Sequence, residues 1–165
     1  MAAAFVSVAA CLLVVAGVAK LIHPAPASDA LGVLGLNAPS VLVRIGAAAE
    51  VLVALAAFSL SGPIPSVLVG ASYLGFAGFV ALLRRNPDAS SCGCFGAGEE
   101  PPSLRHVIVN LLIGVGCLIA AVSSSPSTAS LLREDWPQGL LFVALSVIGA
   151  WLVGLVLRTT RWSAR

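Results

Sequence analysis

Five stretches of the chain, residues 2–22, 41–60, 64–83, 104–122 and 139–157, are runs of apolar residues without the alternation of a half-buried strand. At about 1.5 Å of rise per residue each is long enough, as a helix, to cross a hydrocarbon layer of about 30 Å. Backbone amides have no partner in lipid, so an apolar run with no strand signal must pair them internally as a helix. The breaks are polar or conformationally special. Pro24, Pro26, Asn37 and Pro39 make 23–40 a connection carrying at most a short interfacial turn, and Ser61-Gly62-Pro63 is a tight turn. The longest polar break is 86–103, with Pro87, Gly93, Gly96, Gly98, Pro101 and Pro102; Ser103 is placed to cap the helix that follows. The expectation is an all-α fold: one polytopic transmembrane helix bundle spanning 1–165, with a four-helix core and a fifth C-terminal span. The first stretch lacks a basic leader and reads as a retained span rather than a cleaved signal. In the third, Ala71, Gly75 and Phe79 recur every four residues and predict a small-residue face for close helix contact.

Composition sharpens this picture. Charged residues make up 10% of the chain and hydrophobic ones 59%, with mean hydropathy +1.03, against about 25% charged residues in a soluble domain. The lipid bilayer is therefore the expected solvent, in a plasma or inner membrane. A net charge of +2 with no basic run excludes nucleic acid as a natural partner. Of the 9 basic residues, all but Arg133 flank the side shared by the first and third connections and the C-terminal tail: Lys20, Arg44, Arg84, Arg85, Arg105, Arg158, Arg161 and Arg165. Positive-inside reasoning then puts the N-terminus outside and the 86–103 loop in the cytosol.

That loop carries the sharpest chemical signal, Ser91-Cys92-Gly93-Cys94-Phe95-Gly96. Two thiols one glycine apart can close a small, strained disulfide, the reducible kind, which suits exchange better than stapling. Arg84, Arg85 and Arg105 flank the loop and would favour the attacking thiolate. Idle loop cysteines are the plain alternative. Glu50 falls in the middle of the second span, where an ionisable group needs a partner or a cavity. Arg44 is on the opposite side of the same helix, which leaves Lys20, His106 or a bound polar group; a protonated structural Glu50 stays open beside a proton-handling or headgroup-binding one. His23 and His106 could join the two thiols around a soft metal ion, although the spacing fits no compact zinc pattern. Asn110, one turn past His106, could bond a ligand or a neighbouring helix. Cys11 and Cys117 fall inside the first and fourth spans and read as core-packing thiols.

Several of these features coincide in a recognisable order. Gly17 to Leu21 (GVAKL) closes the first span, Arg44 and Glu50 lie in the second, Cys92 to Gly96 (CGCFG) follows the third, and His106 and Asn110 open the fourth. Together they resemble the methylamine utilisation protein MauE family and the wider DoxX-like membrane proteins. The resemblance covers the first four spans. It implies a bundle similar to the four-helix core of vitamin K epoxide reductase-type proteins and a role in thiol–disulfide redox chemistry, with Cys92 and Cys94 as the catalytic pair. It further implies a thioredoxin-like protein as partner, quinone as a candidate electron carrier, and protein maturation in methylamine metabolism as the setting. Relatives of that kind are expected to work on the exoplasmic face, whereas the charge count places the cysteine loop inside. Two other readings stay open: a membrane metal-handling protein using the same thiols, and a non-catalytic assembly factor whose loop docks a partner.

Overall fold

The computed structural model describes residues 2–87, 89, 101–122, 137, 140, 143–149 and 151–152. Its elements are all helical: α1 (Ala2–Ile22), α2 (Ala25–Val33), α3 (Ser40–Ser59), α4 (Pro63–Leu83) and α5 (Leu104–Val122). Four of these, α1, α3, α4 and α5, are long and apolar enough to cross a membrane, each within one residue of its expected span. The boundaries follow from backbone chemistry. Gly62 has φ of 109°, a conformation open to glycine, and Pro63 then starts α4 where a missing N–H costs no intrahelical bond. Pro39, extended at φ −64° and ψ 153°, sets the entry to α3 in the same way.

The connection 23–40 departs from the expectation. It contains α2, a nine-residue helix. Pro24 and Pro26 do not break it, because they sit at its N-cap and first turn, where amide hydrogens have no helical acceptor anyway. Gly35, at φ 78°, ends it in a left-handed turn closed by Leu36 N–H to Leu31 O at 3.0 Å and Gly35 N–H to Gly32 O at 2.9 Å. Ser28 Oγ donates to Ala38 O at 2.6 Å and folds the return strand of chain back along the helix.

The spanning helices associate as two close pairs, α1 with α3 and α4 with α5, and the pairs then meet more sparsely. Their shared core joins Ala10, Leu13, Ala54, Val69, Tyr73 and Cys117. A second apolar cluster, Ala30, Val80 and Leu83 with Val107 and Ala89 beside them, seats α2 against the end of α4 and the start of α5. Outward-facing side chains such as Val15, Ile45, Leu52, Leu112 and Ile119 are large, apolar and mostly exposed, a surface that lipid rather than water covers.

The close contact between α4 and α5 is not on the expected face. A β-carbon at Gly75 would meet nothing within 4 Å, whereas one at Gly70 would lie 2.9 Å from Gly114 O. Small residues occur all around α4, and those turned inward include Ser66, Gly70 and Ala77. The fifth span, expected at 139–157, lies only partly within the described residues and is not established. Within it residues 140, 143–149 and 151–152 are helical, with Ser146 buried and Gly149 placed so that a β-carbon would meet Val8 at 3.1 Å.

Candidate functional site

Chemistry-bearing side chains gather at two levels. The deeper one is built by Gly17, whose missing side chain lets α1 approach α3 closely: a β-carbon there would lie 2.8 Å from Val51 Cγ2 and 3.0 Å from Ala47 O. Three residues on, Lys20 occupies the same face of α1 and reaches the middle of α3. Its Nζ donates to both carboxylate oxygens of Glu50, at 2.6 and 2.7 Å. The ammonium also lies 4.5 Å from the centroid of the Phe76 ring on α4, within range of a cation–π attraction. Phe76 packs edge-on against Tyr73 at 5.9 Å and 82°, and Tyr73 Oη donates to Ala9 O at 2.8 Å. One ion pair therefore touches α1, α3 and α4.

This pair answers the question raised by Glu50. Of the three candidate partners, Lys20 is the one in contact, with side-chain exposures of 9% for the lysine and 16% for the glutamate. A carboxylate alone at that depth would be costly; facing an ammonium at hydrogen-bond distance, it is compensated. Arg44 is exposed on α3 and takes no part.

The second level is the base of the 86–103 connection. Leu83 at the end of α4 and Val107 in the first turn of α5 meet in one apolar cluster, so the chain leaves and re-enters at the same end of the helix pair. Arg84 and Arg85 are exposed at the exit and Arg105 at the re-entry. Asn86 Nδ2 donates to Val33 O at 2.9 Å, tying the exit to α2. Ser103 caps α5 as expected, its Oγ accepting the His106 N–H at 3.4 Å, and the same oxygen lies 2.6 Å from His106 Nδ1. His106 is buried, and Asn110, one turn further along α5, is half-buried.

Cys92 and Cys94, with the CGCFG motif, lie outside the described residues, as do Arg133 and the tail arginines. Cys11 and Cys117 are free thiols packed in or against the shared apolar core. His23 is exposed just beyond α1. Among the described residues no group of three or more His, Cys, Asp or Glu side chains is placed to hold a metal.

Sequence reasoning did not find Gly17 as the residue that admits the ion pair, Phe76 as its aromatic wall, or Tyr73 as the link to α1. The first had a signal: a glycine and a lysine three apart at the end of an otherwise apolar helix lie on one face. Aromatic residues inside an apolar run carry no such mark.

Compared with known proteins, residues 1–123 match the family model described as methylamine utilisation protein MauE. No curated protein and no solved structure matches the chain.

Proposed function

The chain belongs to the MauE family, and from that premise we propose that this multi-pass membrane protein is a thiol–disulfide redox protein whose working groups are Cys92 and Cys94. The observation that supports this reading most is the junction of α4 and α5. Leu83 and Val107 hold both ends of the connection bearing the two thiols together, with Arg84, Arg85, Arg105 and His106 around its base. Cations there lower the cost of a thiolate, the species that attacks a disulfide.

The exchange balances as a two-electron step. A Cys92–Cys94 disulfide takes two electrons and two protons from the dithiol of a thioredoxin-like partner and becomes two thiols, while the partner becomes a disulfide. Return to the disulfide passes two electrons and two protons to a membrane quinone, which leaves as the hydroquinone. In this scheme Lys20, Glu50 and Asn110 support the bundle interior, where proton handling or a headgroup contact would take place. Methylamine utilisation is the setting the family's description names, protein maturation is the task a thiol–disulfide exchanger would serve there, and the charge distribution favours a cytosolic loop in the plasma or inner membrane.

The test is thiol trapping. With an impermeant alkylating reagent on intact cells and on inverted vesicles, labelling of Cys92 and Cys94 should rise after mild reduction, on one face only. A single Cys92→Ser or Cys94→Ser change should trap a mixed disulfide with a thioredoxin-like protein, and the double change should abolish it. Labelling that ignores reduction, with no mixed disulfide from either variant, would overturn the redox reading. Activity surviving the double change would point to a docking role instead.

A further inference from the structure

Between α2 and the chain that returns from it to α3 lies a groove that neither the bundle core nor the redox chemistry uses. It holds about 840 Å³, with Ser28, Asp29 and Gly32 on one wall and Asn37, Ala38 and Pro39 on the other, within the range of about 300–1,000 Å³ usual for small-molecule sites. The Ser28 Oγ to Ala38 O bond and the left-handed turn at Gly35 hold the walls together. Its charge is of one sign. Asp29 and Asn37 are exposed, and among the described residues neither side chain has an ion pair or a hydrogen bond. Gly32 and Val33, also in the lining, belong to the last turn of α2, the negative end of its dipole. The described lining includes no basic side chain.

The neighbours of the groove set its level in the bilayer. α2 joins the ends of two spanning helices and packs against the end of α4, which places it among the lipid headgroups rather than in the hydrocarbon. Leu36 in the turn, and Val41 and Leu42 at the start of α3, are exposed apolar side chains next to the groove, a surface for acyl chains. A ligand suited to this place carries a cation at its tip, a polar middle and an apolar tail. We propose that the groove binds an aminophospholipid, its primary ammonium donating to the Asp29 carboxylate and its phosphate accepting from Asn37 Nδ2. An ammonium with N–H groups can make a charge-assisted hydrogen bond to the carboxylate; a trimethylated one has no hydrogen to give, and an anionic headgroup without an amine meets Asp29 as a like charge.

Native mass spectrometry of the full-length chain, equilibrated with equal amounts of phosphatidylethanolamine and phosphatidylcholine, reads the preference directly. Retained phosphatidylethanolamine should exceed phosphatidylcholine about tenfold, the scale of one hydrogen bond to a charged group. Asp29→Asn should bring the two to parity and Asp29→Glu should keep most of the preference. Asn37→Ala should lower retention of both lipids without changing their ratio, because both carry the phosphate. The parent chain offers a second measurement that needs no variant: mono- and dimethylated phosphatidylethanolamine still have an N–H and should be retained well, with the loss coming at the third methyl group. Parity in the parent, a preference that survives Asp29→Asn, or no drop at the third methyl overturns the assignment. Displacement of the bound lipid by free phosphoethanolamine at matched concentration would overturn the lipid as occupant and give the groove to a soluble amine. None of these readouts involves a thiol, so the result stands or falls apart from the redox reading.

Discussion

The two helix pairs solve the same problem by different means. In lipid there is no hydrophobic force drawing one apolar helix to another, so association depends on close packing and polar contacts. Between α4 and α5 the answer is backbone proximity: β-carbons at Gly70 and Gly114 would each lie about 3 Å from the other's carbonyl oxygen, at 2.9 and 3.1 Å, and Leu74 and Leu118 close over them. Between α1 and α3 a single glycine, Gly17, grants the approach and the Lys20–Glu50 pair then marks the register. Packing alone tolerates small slips along the axis. An ion pair in lipid does not, since a one-residue slide leaves two charges unpaired. The pair that carries the cysteine loop is joined by packing, and the pair that does not is locked by charge.

The largest expected effect follows from breaking the lock on one side. Lys20→Met or Glu50→Leu alone strands the opposite charge in the bundle and should cost about 3–5 kcal/mol, read by reversible unfolding in mixed micelles. Lys20→Met with Glu50→Leu removes both charges and should fall within about 1 kcal/mol of the parent, because a well-packed apolar pair often replaces a buried ion pair without loss. That double variant also separates structure from chemistry. If its stability is retained and its thiol exchange is lost, the pair is used in the reaction; if both are retained, it is a register lock. A single-charge variant as stable as the parent would show that the contact carries no weight.

Backbone proximity should fail more gradually. Gly70→Val or Gly114→Val forces α4 and α5 apart, at about 1–3 kcal/mol by analogy with overpacked cores. Gly75→Val, on a face with nothing within 4 Å, should change stability little. The functional readout should differ as well: separating α4 from α5 spreads the two ends of the 86–103 connection and should slow thiol exchange in proportion to the lost stability. Equal effects at Gly70 and Gly75 would mean that the α4–α5 seam is not where the geometry puts it.

How far the sequence anticipates all this depends on the kind of signal. The four spans are legible because hydropathy and helix length act locally, and the Ser103 cap is legible because a serine after two prolines has few other uses. α2 was hidden by Pro24 and Pro26, which stop a helix from within but start one from its edge. The spacing points to Gly75 rather than Gly70 because it shows that small residues share a face without showing which face meets a neighbour. For Glu50, charge at mid-span demanded a partner, but only the approach at Gly17 selects Lys20 over His106. The CGC motif stands out by composition, and its geometry lies outside the described residues.

The smallest of these effects tests whether the two pairs are themselves coupled by a polar contact. Tyr73 on α4 is 4% exposed and its hydroxyl donates to Ala9 O on α1, so Tyr73→Phe removes one bond between the pairs while keeping the ring against Phe76. Ala9 O sits inside α1 and retains its own helical N–H, so the change strands no buried donor and leaves the acceptor satisfied. Polar contacts between membrane helices average about 0.6 kcal/mol and reach about 1.7, and Tyr73→Phe should fall in that range, well below either single-charge variant. A cost as large as that of Lys20→Met would reverse the ranking, making the Tyr73 bond rather than the ion pair the contact that fixes how α4 stands against α1.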